Sequence, residues 1–199
     1  SVGHSLADVH QARAGFGAGI RYATHLFNAM TPIHHREPGL AMAVLEREEI
    51  HFGMILDGFH IAPELVRLAW KYQGIHRLTL ITDAIAALGM PAGTYSLAGQ
   101  TIKVDGSSAR LENTTLAGSL LTPVKALQNL LSITQCSLAE ALACWTLNPA
   151  KVLGINDRGA IFPGAVADIV LLSSDYQVAA TFVAGDLVYQ APWAQLNWD

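Results

Sequence analysis

The sequence predicts an α/β fold built from parallel strands that alternate with helices. Four short apolar runs each lead to an ionisable residue, namely His4, His25, His60 and Asp83. Helical patterns lie between these runs, and the four residues follow one another at intervals of roughly 20 to 35 residues, as β/α units do. We expect a barrel-type arrangement, because barrels place functional groups at the carboxyl ends of their strands. An open doubly wound sheet is the alternative, but it binds its ligand at a single crevice.

The first half of the chain carries signals at the ends of its helices. Ser5 and Asp8 form an S-x-x-D capping box, and Pro63 and Gly74 bound a later helix. A polar loop over 25–38 is long enough to predict a functional role or disorder. In chain order we predict strand 2–4, helix 6–17, strand 20–24, helix 37–47, strand 50–56, helix 63–73 and strand 77–82.

The middle of the chain changes character. Glycines and prolines interrupt residues 86–119, where short alternating runs predict hairpins inserted before the next helix. Two helices follow, and the second begins at a capping box formed by Ser137 and Glu140. The predicted elements of this part are strands 94–97 and 101–104 and helices 122–133 and 137–147.

The hydrophobic period becomes two from Gly159 onward, which predicts a small β appendage. The segments of this appendage that carry the pattern are Ile161 and the runs 165–172 and 178–183. We therefore predict two units. The first is an α/β unit over 1–154 with a β insertion near 94–118, and the second, over 155–199, holds the appendage and the tail.

The composition excludes several classes of protein. A net charge of −4 gives no general attraction to nucleic acid or to an anionic membrane, and no apolar run reaches the ~20 residues of a membrane helix. Cys136 and Cys144 show no metal-binding or redox spacing, so we expect a reduced, cytoplasmic setting. Because Ser1 opens directly into a predicted strand, we expect the chain to be the later part of a longer polypeptide.

His4 and His25 are the predicted metal ligands. Imidazole nitrogens suit Zn²⁺ or Fe²⁺, and a catalytic site keeps one coordination position open for water. A single histidine at a strand end is commonly structural. Two histidines at successive strand ends, with Asp83 two strands further on, favour a metal site instead.

Asp83 is the predicted general base and acid. A carboxylate beside a divalent cation can accept a proton from the attacking water and return it to a leaving amine. The alternative role for Asp83 is a local cap for the loop that follows it. His60, close after Asp57, is placed to hydrogen-bond a substrate carbonyl, and its alternative role is that of an ordinary loop histidine.

The loop after His25 offers an anion site. Arg36 can hold a phosphate by a forked contact, close in sequence to the backbone amides of Asn28 and Ala29. An exposed arginine in a salt bridge is the competing interpretation. The neighbouring histidines of this loop, His34 and His35, receive no role.

Six motifs together resemble a known family, the N-acetylglucosamine-6-phosphate deacetylases of the amidohydrolase superfamily. The motifs are Gly3-His4-Ser5, Ala23-Thr24-His25-Leu26-Phe27-Asn28-Ala29-Met30, Arg36-Glu37-Pro38-Gly39, Asp57-Gly58-Phe59-His60, Thr82-Asp83-Ala84 and Leu116-Ala117-Gly118-Ser119. The tail pattern Gly159-x-Ile161-x-x-Gly164-x-x-Ala167-Asp168 resembles the strand pair that closes the β-sandwich domain of that superfamily. Each motif is weak alone, but the six in this order are specific, and the similarity spans nearly the whole chain.

The resemblance implies a fold and an activity. The fold is the second half of a (β/α)8 TIM-type barrel with a small C-terminal β appendage that belongs to a β-sandwich domain. The activity is metal-dependent hydrolysis of N-acetyl-D-glucosamine 6-phosphate to D-glucosamine 6-phosphate and acetate, in a cytoplasmic homodimer. The metal would be Zn²⁺, with Fe²⁺ or another divalent ion as the alternative.

The resemblance also implies a role for each site residue. The metal ligands are His4 and His25, and the acid/base is Asp83. His60 is implied to contact the acetamide, and Asp57 is also implied to bind the substrate. Asn28, Ala29 and Arg36 are implied at the phosphate, with two alternatives for Arg36, its own subunit or the neighbouring subunit of a dimer. The residues implied to line the substrate pocket are Leu116, Ala117 and Gly118.

One departure from the family leaves other functions open. Family members are about twice as long, and a metal-binding glutamate is expected from the half that this sequence does not contain. Two alternatives follow. The chain could belong to another amidohydrolase that acts on a cyclic amide, or it could be an incomplete, non-catalytic half that needs a partner chain.

Overall fold

A computed structural model describes residues 1–195, in which six helices and nine strands are formed. The helices are α1 Val9–Gly17, α2 Gly39–Glu46, α3 Pro63–Arg77, α4 Pro123–Thr134, α5 Leu138–Ala143 and α6 Leu147–Leu153. The strands are β1 Tyr22–Ala23, β2 His51–Ile55, β3 Leu78–Ile81, β4 Gly93–Leu97, β5 Gln100–Val104, β6 Ala109–Leu111, β7 Ile169–Leu172, β8 Val178–Val183 and β9 Asp186–Gln190.

The first three strands form one parallel sheet in the order β1-β2-β3. Helices connect them, so the predicted alternation of parallel strands and helices is confirmed. The predicted strand 2–4 is wrong in extent, because only Val2 pairs with Ala23, as an isolated parallel bridge. The carboxyl ends of these strands lie at the same edge of the sheet.

One face of the parallel sheet packs against helices and forms the main core. Alternate strand residues point to this face, and the larger of them are fully buried. They are Phe52, Met54, Leu78 and Leu80, which meet Leu40, Val44, Val66 and Leu130 from the helices. Over residues 1–195 no helix is long and apolar enough to cross a membrane.

Three helix boundaries differ from prediction. Helix α1 is capped by Asp8, with Gln11 completing the capping box, because Ser5 is held in an extended bridge to Met30. Helix α3 continues past Gly74, where a Cβ atom would lie 2.5 Å from the Trp70 ring, so this glycine makes room rather than ending the helix.

The predicted helix 137–147 is two helices, α5 and α6. The break follows from a contact with the parallel sheet, since the Cys144 carbonyl accepts a hydrogen bond from the Leu80 amide at 3.0 Å. The capping box of Ser137 and Glu140 at the start of α5 is confirmed.

The other two sheets are antiparallel. Strands β4, β5 and β6 form antiparallel hairpins between β3 and α4, where the sequence predicts hairpins, and we call them the inserted sheet. They bury a small core of their own around Ile102 and Val104. Strands β7, β8 and β9 form the sheet near the end of the chain. Ile161 and residues 165–168, predicted as extended runs, lie outside its strands, and β9 was not predicted. Residues 196–199 lie outside the described residues.

Candidate active site

A cavity of about 650 Å³ lies where the parallel strands end. Its walls come from the loops that follow β1, β2 and β3 and from the inserted sheet. All of the predicted site residues except Asp57 and Arg36 line it. They are His4, His25, Asn28, Ala29, His60, Asp83, Leu116, Ala117 and Gly118.

His4 and His25 are adjacent, with their ring centroids 4.7 Å apart and their planes at 63°. Gly3 permits this approach, because a Cβ atom there would lie 2.6 Å from Thr24 Cγ2 and 3.5 Å from the His25 ring. His25 is 6% exposed, and its Nδ1 atom is buried without a hydrogen-bond partner among residues 1–195. Buried ring nitrogens normally have a partner, so this one is suited to a ligand.

The donor set fits part of a divalent-metal site. Two neighbouring imidazoles are a common pair of zinc ligands, and a catalytic zinc site usually takes three protein ligands. No cluster of three or more histidine, cysteine, aspartate or glutamate residues suited to a metal occurs in the described part of the chain. Residues 1–195 therefore offer two ligands, and a third would have to come from elsewhere.

Several residues in the loops at the cavity have a strained backbone. Non-glycine residues rarely adopt a positive φ, at a cost of about 1–3 kcal/mol each. His25, Phe27 and Ala29 do so in the loop after β1, with φ of 32°, 77° and 50°, and Asp83 does so after β3, with φ of 48°. Strain of this kind collects at functional sites, where the surrounding structure holds it.

Asp57 lies behind His60 and does not line the cavity, which corrects its predicted place at the substrate. Its carboxylate accepts from His60 Nδ1 at 2.6 Å and from the backbone amides of Phe59 and His60 at 2.9 Å each. Burial raises the pKa of Asp57, but these hydrogen bonds outweigh burial, and the net pKa is lowered. The carboxylate therefore stays ionised and fixes the orientation of the His60 ring.

The predicted phosphate residues do not meet within one chain. Asn28 lines the cavity, with its side-chain amide 3.3 Å from the carbonyls of His25 and Leu26. Arg36 is exposed outside the cavity, and its Nη1 atom lies 2.7 Å from His35 Nε2. Within this chain, Arg36 therefore does not join Asn28 at the cavity.

A second wall of the cavity does not follow from the sequence. It comes from the inserted sheet and includes Leu97, Ala98 and Gln100 at the turn between β4 and β5. Ala98 and Gly99 both have positive φ, 47° and 81°, as a two-residue hairpin turn requires. The alternating pattern predicts a hairpin here, but its position over the cavity depends on tertiary packing.

A comparison with protein families agrees with this geometry, because residues 1–188 match the amidohydrolase family. This chain belongs to the amidohydrolase family. Its curated relatives include the N-acetylglucosamine-6-phosphate deacetylases of Rattus norvegicus and Homo sapiens, each 40% identical. The matches cover 98% of this amidohydrolase chain and 49% of each relative, so the chain spans about half the length of the curated relatives it matches.

Solved structures give the same result. The amidohydrolase chain superimposes on the N-acetylglucosamine-6-phosphate deacetylase of Thermotoga maritima with a TM-score of 0.93 and 36% identity, over 96% of this chain and 53% of that one. It also superimposes on a variant of the Mycobacterium smegmatis deacetylase in complex with N-acetyl-D-glucosamine-6-phosphate. There the TM-score is 0.88 and the identity 39%, over 94% of this chain and 50% of that one. The resemblance inferred from the sequence motifs is therefore confirmed.

Proposed function

We propose that this chain carries the proton-transfer and substrate-binding half of an N-acetylglucosamine-6-phosphate deacetylase. The reaction is hydrolysis of the acetamide of N-acetyl-D-glucosamine 6-phosphate to D-glucosamine 6-phosphate and acetate. One observation carries the proposal. His4, His25, His60 and Asp83 line a single cavity in a chain that is about 40% identical to deacetylases of that name.

His4 and His25 would hold a divalent ion, with Zn²⁺ favoured by the two imidazoles and Fe²⁺ or another divalent ion as the alternative. When bound, the ion supplies Lewis-acid activation of the amide carbonyl and of the attacking water. The buried, unpartnered Nδ1 atom of His25 supports this assignment.

Asp83 transfers the proton. Its exposed carboxylate accepts a proton from the attacking water and delivers it to the nitrogen of the departing amine. His60 contacts the acetamide region through its Nε2 atom, because Asp57 holds Nδ1 on the other side of the ring. Asp57 therefore acts through His60 rather than on the substrate.

The remaining cavity residues recognise the sugar phosphate. Asn28 and Ala29 bind the phosphate, and Leu116, Ala117 and Gly118 line the wall beside the sugar. Arg36 completes the phosphate site of a second subunit in a homodimer, which its position outside its own cavity supports.

We also propose the architecture around the site. Residues 1–154 form the second half of a (β/α)8 barrel with the insertion near 94–118, and residues 155–199 contribute strands to a β-sandwich domain. The other half of the barrel supplies the third metal ligand. The two cysteines are free, which supports a cytoplasmic location.

The test is acetate release by the complete enzyme that contains this chain, with phosphorylated and unphosphorylated N-acetylglucosamine compared at equal concentration. We expect kcat/KM to be about 10- to 100-fold higher with the phosphate, the effect of one charge-assisted contact. Replacing Arg36 by Met should remove most of this difference, whereas Arg67→Met on the exposed side of α3 should not. Equal turnover of the two sugars, hydrolysis of cyclic amides alone, or no turnover would reject the proposal.

A further inference from the structure

Among the described residues, Asp83 has no side-chain partner that fixes the direction of its carboxylate. In the described part of the chain its carboxylate makes no hydrogen bond or ion pair, although it lines the cavity. Its backbone has a φ of 48°, a conformation that a non-glycine residue keeps only when its neighbours hold it. The direction of the carboxylate is therefore set by whatever holds this backbone.

Ser119 makes that contact. Its amide donates to the Asp83 carbonyl at 3.0 Å, and its carbonyl accepts from the Ile85 amide at 3.1 Å. Its hydroxyl donates to the Thr82 carbonyl. Thr82, Asp83 and Ile85 are thus all hydrogen-bonded to Ser119, which is 1% exposed.

The Ser119 hydroxyl is itself held in place. It accepts a hydrogen bond from the Leu121 amide at 3.1 Å, which leaves its proton directed to Thr82. Gly118 allows the two segments to approach, because a Cβ atom there would lie 2.6 Å from Ile85 Cγ2 and 3.2 Å from the Asp83 carbonyl. The cavity wall at Gly118 and the strand end at Asp83 therefore form one bonded unit.

We infer that Ser119 is a positioning residue for Asp83, whose hydroxyl fixes the strand end from which the carboxylate enters the cavity. This inference rests on the proposed role of Asp83 as the proton carrier. Ser119 does not line the cavity, so it acts on the reaction only through Asp83. Removing its hydroxyl leaves the Thr82 carbonyl without this donor and frees the turn at Asp83.

The test compares Ser119→Ala and Ser119→Cys in the complete enzyme. A displaced proton carrier slows the chemical step without weakening ground-state binding, so we expect Ser119→Ala to lower kcat by about 10- to 100-fold with KM nearly unchanged. The thiol is a weak donor, so Ser119→Cys should fall between wild type and Ser119→Ala. Ser108→Ala is the matched control, because it also removes a buried serine hydroxyl. The Ser108 hydroxyl donates to the Asp105 carboxylate rather than to the strand end at Asp83.

Crystal structures of wild type and Ser119→Ala provide a second readout that does not depend on activity. We expect the Asp83 φ to leave the positive region, or its carboxylate to occupy more than one position, in the variant only. An unchanged Asp83 in the variant crystal, or kcat values that fall equally in Ser119→Ala and Ser108→Ala, would overturn the inference. If wild type releases no acetate, the proposed function fails while the crystal comparison still decides the role of Ser119.

Discussion

At the scale of single residues, the pair of Asp57 and His60 gives a prediction about pH. Hydrogen bonds hold the pKa of Asp57 below its ordinary value of 3.8 despite burial. A lowered carboxyl pKa stabilises the folded state above the unfolded pKa, and this stabilisation is lost as the pH falls through the folded pKa. We expect Asp57→Asn to lower the free energy of unfolding at neutral pH by about 1.5–3 kcal/mol, the range for a hydrogen bond to a charged group.

Urea unfolding at neutral pH and near pH 3 checks this prediction. The difference between Asp57→Asn and wild type should shrink at the lower pH, because pH 3 lies below the unfolded pKa of about 3.8 and the unfolded chain then binds a proton at Asp57. Asp186→Asn on the exposed strand β9 is the control and should change little at either pH. A difference that is the same at both values would show that the charge of Asp57 does not stabilise the fold.

The residues that could be predicted are those whose position follows from local sequence. His25 and Asp83 each lie two residues after an apolar strand, and parallel strands end at one edge, so their place along one cavity follows from periodicity alone. Ser119 could not be given its role in this way, because its bonds join it to residues far earlier in the chain. Arg36 shows a different limit of prediction from sequence. Its motif indicates phosphate binding, but it does not indicate which subunit's cavity the side chain enters.

At the scale of elements, α2, β2 and α3 are joined by one buried arginine. Arg77 is 2% exposed, and its guanidinium donates to the carbonyls of Val44, Leu45 and Ile50 at 2.5, 3.0 and 2.8 Å. These groups lie at the end of α2 and before β2, so Arg77 satisfies carbonyls that the helix leaves unpaired. Burial disfavours the charged guanidinium and so lowers the pKa of Arg77. A buried cation needs hydrogen-bond partners, and these carbonyls supply them.

We predict that Arg77→Met lowers the free energy of unfolding by about 3–5 kcal/mol, because several buried carbonyls lose a charged donor at once. Arg67→Met on the same helix is the matched control. Its ion pair with Glu64 is exposed, so its loss should change stability by less than about 1 kcal/mol. Thermal or urea unfolding measures both, and equal effects would contradict the role given to Arg77.

The same elements show why helix ends were partly mispredicted. Gly74 has the local signature of a helix end, yet α3 continues through it to Arg77, and the Trp70 ring occupies the space that a side chain at Gly74 would fill. Pro63, whose effect is local, was placed correctly at the start of this helix. The local sequence signal therefore predicts the start of α3 correctly but not its end.

At the scale of the whole molecule, the sheet of β7, β8 and β9 exposes apolar side chains. Val170, Val188 and Tyr189 are each about half exposed, and β9 is an edge strand without lysine or proline. Exposed, apolar edge strands favour pairing with another chain. We predict that the 199-residue chain produced alone associates in solution, as sedimentation velocity would detect.

A lysine on the edge strand should reduce this association, because edge lysines oppose strand pairing. We expect Val188→Lys to shift the chain toward monomer, whereas Leu65→Lys on the exposed surface of α3 should not. A wild-type chain that is monomeric at all concentrations would contradict the prediction.

The central claim is that the cavity at the ends of the parallel strands is a hydrolytic site in which Asp83 transfers the proton. The most direct measurement is turnover of N-acetyl-D-glucosamine 6-phosphate by the complete enzyme with Asp83→Asn, beside Asp186→Asn as control. We predict that Asp83→Asn lowers kcat by about 10²- to 10⁴-fold while the control keeps wild-type turnover. Undiminished acetate release by the Asp83→Asn enzyme would contradict the claim.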